Sequence, residues 1–150
     1  METSLLSETV WSELLLTGHA AIDATHRAFA LVIHELQQAN PASAAASIAA
    51  ARAHCEDHFA EEEEPMRRHG HSGADCHAVE HAAVLQSVRE VCAMDVQDVA
   101  TVHRLGIALA EWLEAHTIYL DSALSQWIVR RRYGGAPVAI RKPAALQNAC

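Results

Sequence analysis

Residues 102–127 read VHRLGIALAEWLEAHTIYLDSALSQW, and the apolar positions in that stretch decide the fold. Val102, Leu105, Leu109, Trp112, His116, Leu120 and Trp127 recur at helical intervals, the pattern of one buried face of a long amphipathic helix. Three more stripes of the same kind precede it. Ile22, His26, Phe29, Ile33 and Leu36 form one; Ile48, Ala51, Cys55, His58 and Glu62 form the next. His77, His81, Val84 or Leu85, Val88 and Cys92 form the third. Between them lie short breaks at Asn40-Pro41, at Gly70 and Gly73, and around Asp95 to Asp98, and no stretch alternates in the manner of a strand. Four helices of similar length with short connections predict an all-α, up-down-up-down four-helix bundle.

Each stripe also carries residues that do not belong in an apolar core: His26; His58 and Glu62; His77 and His81; His116 with Asp121 close by. Burying such groups is unfavourable unless they are hydrogen-bonded, paired or bound to a metal. Antiparallel topology puts all of them at one height. They fall at the start of the first helix, the end of the second, the start of the third and the later part of the fourth, which is the same end of the bundle. Five imidazoles and two carboxylates are too many donors for one ion and suit two. A mixed imidazole and carboxylate set favours iron or manganese over a thiolate zinc site. The pairs His58/Glu62 and His77/His81 are four residues apart and share a helix face. His116 and Asp121 are five apart, about 140° around an ideal helix. Either they serve different parts of the site or a local π-bulge aligns them, and distortion is expected there.

Composition narrows the remaining choices. A chain of 150 residues and 16.3 kDa is one ordinary domain, and no run approaches the roughly 20 apolar residues of a membrane helix. The opening METSLLSETV has two acids and no base, unlike a secretory signal. Residues 1–129 hold all 19 acids and 6 bases, whereas residues 130–150 hold 5 bases and no acid. The acidic body disfavours nucleic-acid binding. Without an export signal, Cys55, Cys76, Cys92 and Cys150 read as free thiols in a reducing cytoplasm, and the expected localisation is cytoplasmic.

The motifs resemble those of the hemerythrins, specifically the single-domain bacteriohemerythrins with their cation-binding domain. The matching residues are Trp11 and Gly18, IDATH ending at His26, HFAEE beginning at His58, HAVEH from His77 to His81, and WLEAHTIYLD from Trp112 to Asp121. The resemblance implies a non-haem centre of two iron ions (Fe2+/Fe3+) with an oxo or hydroxo bridge. His77, His81 and His116 would bind one iron and His26 and His58 the other, with Glu62 and Asp121 bridging. It implies reversible O2 binding in a carrier, storage or delivery protein that is not an enzyme. The alternatives are an O2, NO or redox sensor acting through a partner, and a di-iron peroxidase or NO-processing enzyme. Phe29, Trp112 and Leu113 are candidates for an O2 pocket.

Other positions carry expectations of their own. Pro65 clashes with the carbonyl of residue 61, so the second helix should kink or end there. His54, one turn before His58, reads as a partly exposed helix residue or as a partner supporting a ligand. Glu61, Glu63 and Glu64 read as a solvated face, Cys55 as a small buried hydrophobe, and His19, His34 and His103 as surface or structural residues. The bundle should occupy residues 1–132, entered by an N-terminal arm. Residues 133–150 should form a flexible basic tail, open to an acidic protein partner or lipid surface.

Overall fold

A computed structural model describes residues 11–94 and 98–133. The apolar stripes become helical rods. A 3-10 turn (Glu13–Leu15) leads into α1 (Ala20–Gln37), followed by α2 (Ala44–His69), α3 (Ala74–Ala93) and α4 (Val99–His116). A five-residue π-helical turn (Thr117–Asp121) joins α4 to α5 (Ser122–Tyr133) with helical backbone on both sides, so the fourth rod is continuous. Among the described residues there is no strand. Both α1 and α3 lie against α2 and α4, the neighbour relations of an up-down-up-down four-helix bundle. The expected distortion between His116 and Asp121 is therefore present as a π turn.

The buried apolar side chains do not fill the bundle evenly. The larger core gathers Phe29, Ile33, Leu36, Ile48, Val102 and Leu109 with their neighbours. A smaller one of Ile22, Met66 and Leu124, backed by Trp127 and Ile128, lies about one helical turn beyond His26, Glu62 and Asp121 in each rod. The polar layer is sandwiched between these two clusters. At the far end, Gly106 brings α4 against α1: a Cβ there would stand 2.9 Å from Gln37 Cγ and 3.1 Å from Leu36 Cβ.

Helix α2 does not end at Pro65. It runs four residues further, to His69. Proline removes one N–H, and the carbonyl it leaves unpaired belongs to the exposed Glu61, where water is at hand. The stop comes at Gly70, left-handed at φ 72°, with the His71 amide donating to the Met66 carbonyl at 2.9 Å.

The segment before α1 is tied down by one carboxylate. Asp23 accepts from the Thr17 amide at 2.7 Å, the Thr17 hydroxyl at 2.8 Å and the Gly18 amide at 3.1 Å. Gly18 makes this possible with φ +85°, a conformation side chains resist. Cys55 and Cys92 carry free thiols, as expected. Cys76 departs from that expectation, being disulfide-bonded. The tail from 134 onward, Cys150 and the first ten residues lie outside the described residues.

Candidate metal centre

His26 comes from α1, His58 and Glu62 from α2, His77 and His81 from α3, His116 from the end of α4 and Asp121 from the end of the π turn. All seven are buried. Their approach to one another is orderly. Glu62 Oε1 lies 2.8 Å from His58 Nε2, while its other oxygen lies 3.1 Å from His77 Nε2 and 3.4 Å from His81 Nε2. Asp121 Oδ2 lies 2.9 Å from His26 Nε2, and its Oδ1 lies 3.0 Å from His77 Nε2 and 3.1 Å from His116 Nε2. Each carboxylate thus turns one oxygen to a group of three histidines and the other to a group of two. The donor atoms of Glu62, His77, His81, His116 and Asp121 lie within 4.8 Å of one another, as do those of His26, His58 and Glu62. The π turn is what lets Asp121 join: it closes the gap of about 140° that an α-helix would leave between residues five apart.

Proton placement tests whether these residues suit metal ions. His26 donates its Nδ1–H to the Leu15 carbonyl at 2.8 Å, His81 to Glu63 at 3.0 Å and His116 to Glu80 at 2.7 Å. A neutral imidazole whose proton is held at Nδ1 in this way offers its Nε2 lone pair to a metal ion. Yet His116 Nε2 stands 3.0 Å from His77 Nε2 and 3.1 Å from His81 Nε2. Two donors held at about 2.1 Å on adjacent octahedral corners are about 3.0 Å apart. His26 Nε2 and both Asp121 oxygens are buried without a hydrogen-bond partner, because their close approaches lack hydrogen-bond alignment. The donor set fits a pair of cations.

Behind these residues stand partners that helix periodicity does not mark. Glu63, expected on a solvated face, reaches across to His81 on α3, and Glu80 of α3 reaches His116 on α4. Each sits beside a ligand-type residue in the chain, Glu62 and His81 respectively. His54 takes up the supporting alternative: its Nε2 lies 3.4 Å from His58 Nδ1. Burial, with His58 and His26 nearby, lowers its pKa to about 4, so it stays neutral and accepts.

Comparison with known proteins gives a single assignment. The chain is 36% identical to the bacteriohemerythrin of Ralstonia nicotianae over 122 residues, 81% of this chain and 89% of that protein. It belongs to the bacteriohemerythrin family. No family model matches the chain, and no solved structure does.

In this bacteriohemerythrin-type bundle the ligand-type residues are walled by rings. Phe59 stacks on His81 with centroids 4.0 Å apart, and Trp112 on His116 at 4.3 Å. Phe59 is a neighbour the stripes did not single out, although it directly follows His58. Of the three residues expected around O2, Phe29 lies 5.7 Å from the His58 ring, on the two-histidine side. Trp112 stands instead against the three-histidine side, and Leu113 is buried in the larger core. A cleft of about 300 Å³ opens onto His58 and Glu62, bordered by His19, Ile22, Thr25, Glu61, Leu124 and Ile128. His19 caps α1, accepting from the Ile22 amide, and His103 lies 2.7 Å from the Ala39 carbonyl, so both are structural. Burial pushes His116 down, but Asp121 and Glu80 outweigh it and raise its pKa to about 9. Glu62 and Asp121 are held below the usual carboxylate range despite burial, through the histidines that ring them. No described helix is long and apolar enough to cross a membrane.

Proposed function

We propose that this protein binds O2 reversibly at a non-haem di-iron centre, as a carrier, store or delivery protein and not as an enzyme. His77, His81 and His116 hold one iron, His26 and His58 the other, and Glu62 and Asp121 bridge them. The observation that carries the reading is the division of both carboxylates, one oxygen toward each histidine group. It leaves the three-histidine position with five protein donors and the two-histidine position with four, so the latter has room for an exogenous ligand. When bound, the iron pair supplies electrons to O2 and recovers them on release.

The chain's own residues favour binding over onward chemistry. The cleft reaches His58 and Glu62, the side with fewer donors. Ile22, Leu124 and Ile128 give that cleft an apolar border, and the fully buried Phe29 packs against the His58 ring, surroundings that disfavour proton delivery to the bound gas. The Leu15 carbonyl and the aromatic walls fix the imidazole planes, so little rearrangement accompanies ligand exchange. The localisation that accompanies the reading is the cytoplasm.

Metal analysis of protein as purified, with the optical spectrum followed through anaerobic reduction and air readmission, tests the proposal. Two irons per chain are expected, with ferric bands that bleach on reduction, return with O2 and reverse on degassing. One zinc per chain, or bleaching that air cannot reverse, would refute it.

A further inference from the structure

We infer that Glu63 and Glu80 are positioning residues that make the two metal positions electronically unequal, so that the three-histidine position keeps the higher charge. The inference rests on the two-iron reading above. Its basis is what faces Nδ1 of four of the five histidines, His26, His58, His81 and His116. On the three-histidine side, His81 donates to the Glu63 carboxylate at 3.0 Å and His116 to the Glu80 carboxylate at 2.7 Å. On the two-histidine side, His26 donates to the Leu15 carbonyl at 2.8 Å and His58 faces the His54 ring at 3.4 Å, with no carboxylate behind either. A carboxylate draws the Nδ1 proton more strongly than a carbonyl or an imidazole, and the ring it backs becomes a stronger donor through Nε2.

The arrangement is systematic along the fold. Each carboxylate sits on the helix preceding its histidine's helix, Glu63 on α2 for α3 and Glu80 on α3 for α4. Both side chains keep partial contact with water, at 23% and 45% exposure, so their charges persist without heavy desolvation. Arg67 meets Glu63 only through the other oxygen, at 3.5 Å, leaving Oε1 to His81.

Two carboxylate-backed imidazoles on one ion and none on the other separate the two one-electron steps of a diferric centre. The first electron from an external reductant goes to the two-histidine position, beside the cleft, converting that Fe(III) to Fe(II). The second goes to the three-histidine position. No bond to the protein breaks in either step.

Potentiometric titration with dithionite and redox mediators, with electron paramagnetic resonance of the half-reduced state and iron content measured alongside, tests this. Glu80→Gln and Glu63→Gln each keep an acceptor oxygen but remove the charge. Each should ease the second reduction by about tenfold, or about 59 mV for one electron, and move the first step less. The half-reduced signal should shrink as the steps converge. Glu64→Gln removes the same charge from α2, where it pairs with Arg68 and meets no histidine, and should shift neither step. With two irons retained, unmoved potentials in Glu80→Gln and Glu63→Gln, or an equal shift in Glu64→Gln, overturn the inference while leaving the di-iron reading intact. A wild-type protein that never holds two irons overturns both.

Discussion

Replacing Asp23 by alanine should release the segment before α1 and, through it, loosen one metal position. Three donors converge on this buried carboxylate: the Thr17 amide, the Thr17 hydroxyl and the Gly18 amide. Hydrogen bonds to a carboxylate acceptor are each worth about 1.5 kcal/mol at the low end, so the gross loss for three is about 4.5 kcal/mol. Roughly half returns, because the freed donors meet water and the released residues regain backbone freedom. A net change of about 2 kcal/mol in docking is a shift of about 30-fold in the opening equilibrium. Ser125, donating to the Thr17 carbonyl at 3.4 Å, supplies only a weak residual hold. Hydrogen exchange at the Thr17 and Gly18 amides should accelerate by about that factor, while amides in the larger core keep their protection. The consequence at the site follows from Leu15, whose carbonyl takes the His26 Nδ1 proton at 2.8 Å. Loss of such a support weakens metal binding by about 10–100-fold, so chelator competition should strip one ion well before the other. Asp23→Asn, which keeps one acceptor oxygen, should fall between. Faster exchange with unchanged chelator resistance would break the link between arm and site. Unchanged exchange would refute the hydrogen-bond reasoning altogether.

Three further outcomes follow from the same geometry. Gly106→Ala forces a methyl against Gln37 and Leu36, including the Gln37 backbone nitrogen at 3.1 Å, and should cost about 1–3 kcal/mol in denaturant unfolding with metal content unchanged; a neutral result would mean that α1 and α4 separate freely. Burial, with Glu56 nearby, pushes the Cys55 thiol up to about 12, so iodoacetamide at pH 8 should leave it unmodified in native protein and label it in denaturant; peptide mapping that finds it alkylated without denaturant would contradict this. In metal-free protein the His116 pKa stands at about 9 against an ordinary 6.5. Its contribution to stability is therefore fully present below pH 6.5 and lost as pH rises through about 9. Thermal unfolding of the chelated protein should weaken across that window, and metal uptake at pH 7 should release protons to an indicator dye; uptake without proton release would show that the imidazoles are already neutral.

His26, His58, Glu62, His77, His81 and His116 announce themselves because each occupies a core-facing helical position, where a polar group needs a reason. Asp121 is legible by arithmetic instead: five residues from His116 it fits an α-helix badly, and the chain answers with a π turn. At Pro65 local sterics allow either a kink or a helix end, and the end is ruled out because packing of Met66 in the smaller core holds the rod beyond it. Glu63 and Glu80 escape for a deeper reason. Each lies one position off a ligand, on a flank that periodicity assigns to water, and reaches a histidine on the next helix. Whether a flanking carboxylate meets solvent or a neighbouring ring depends on the relative rotation of two packed helices, which spacing within either helix does not encode. The Leu15 carbonyl is invisible for the same kind of cause, since a backbone oxygen has no residue type to read. What periodicity does reveal is the set of donor atoms that face one another; what it leaves out is the layer that holds those side chains from behind, the Leu15 carbonyl and the Glu63 and Glu80 carboxylates, which is built only when the helices pack.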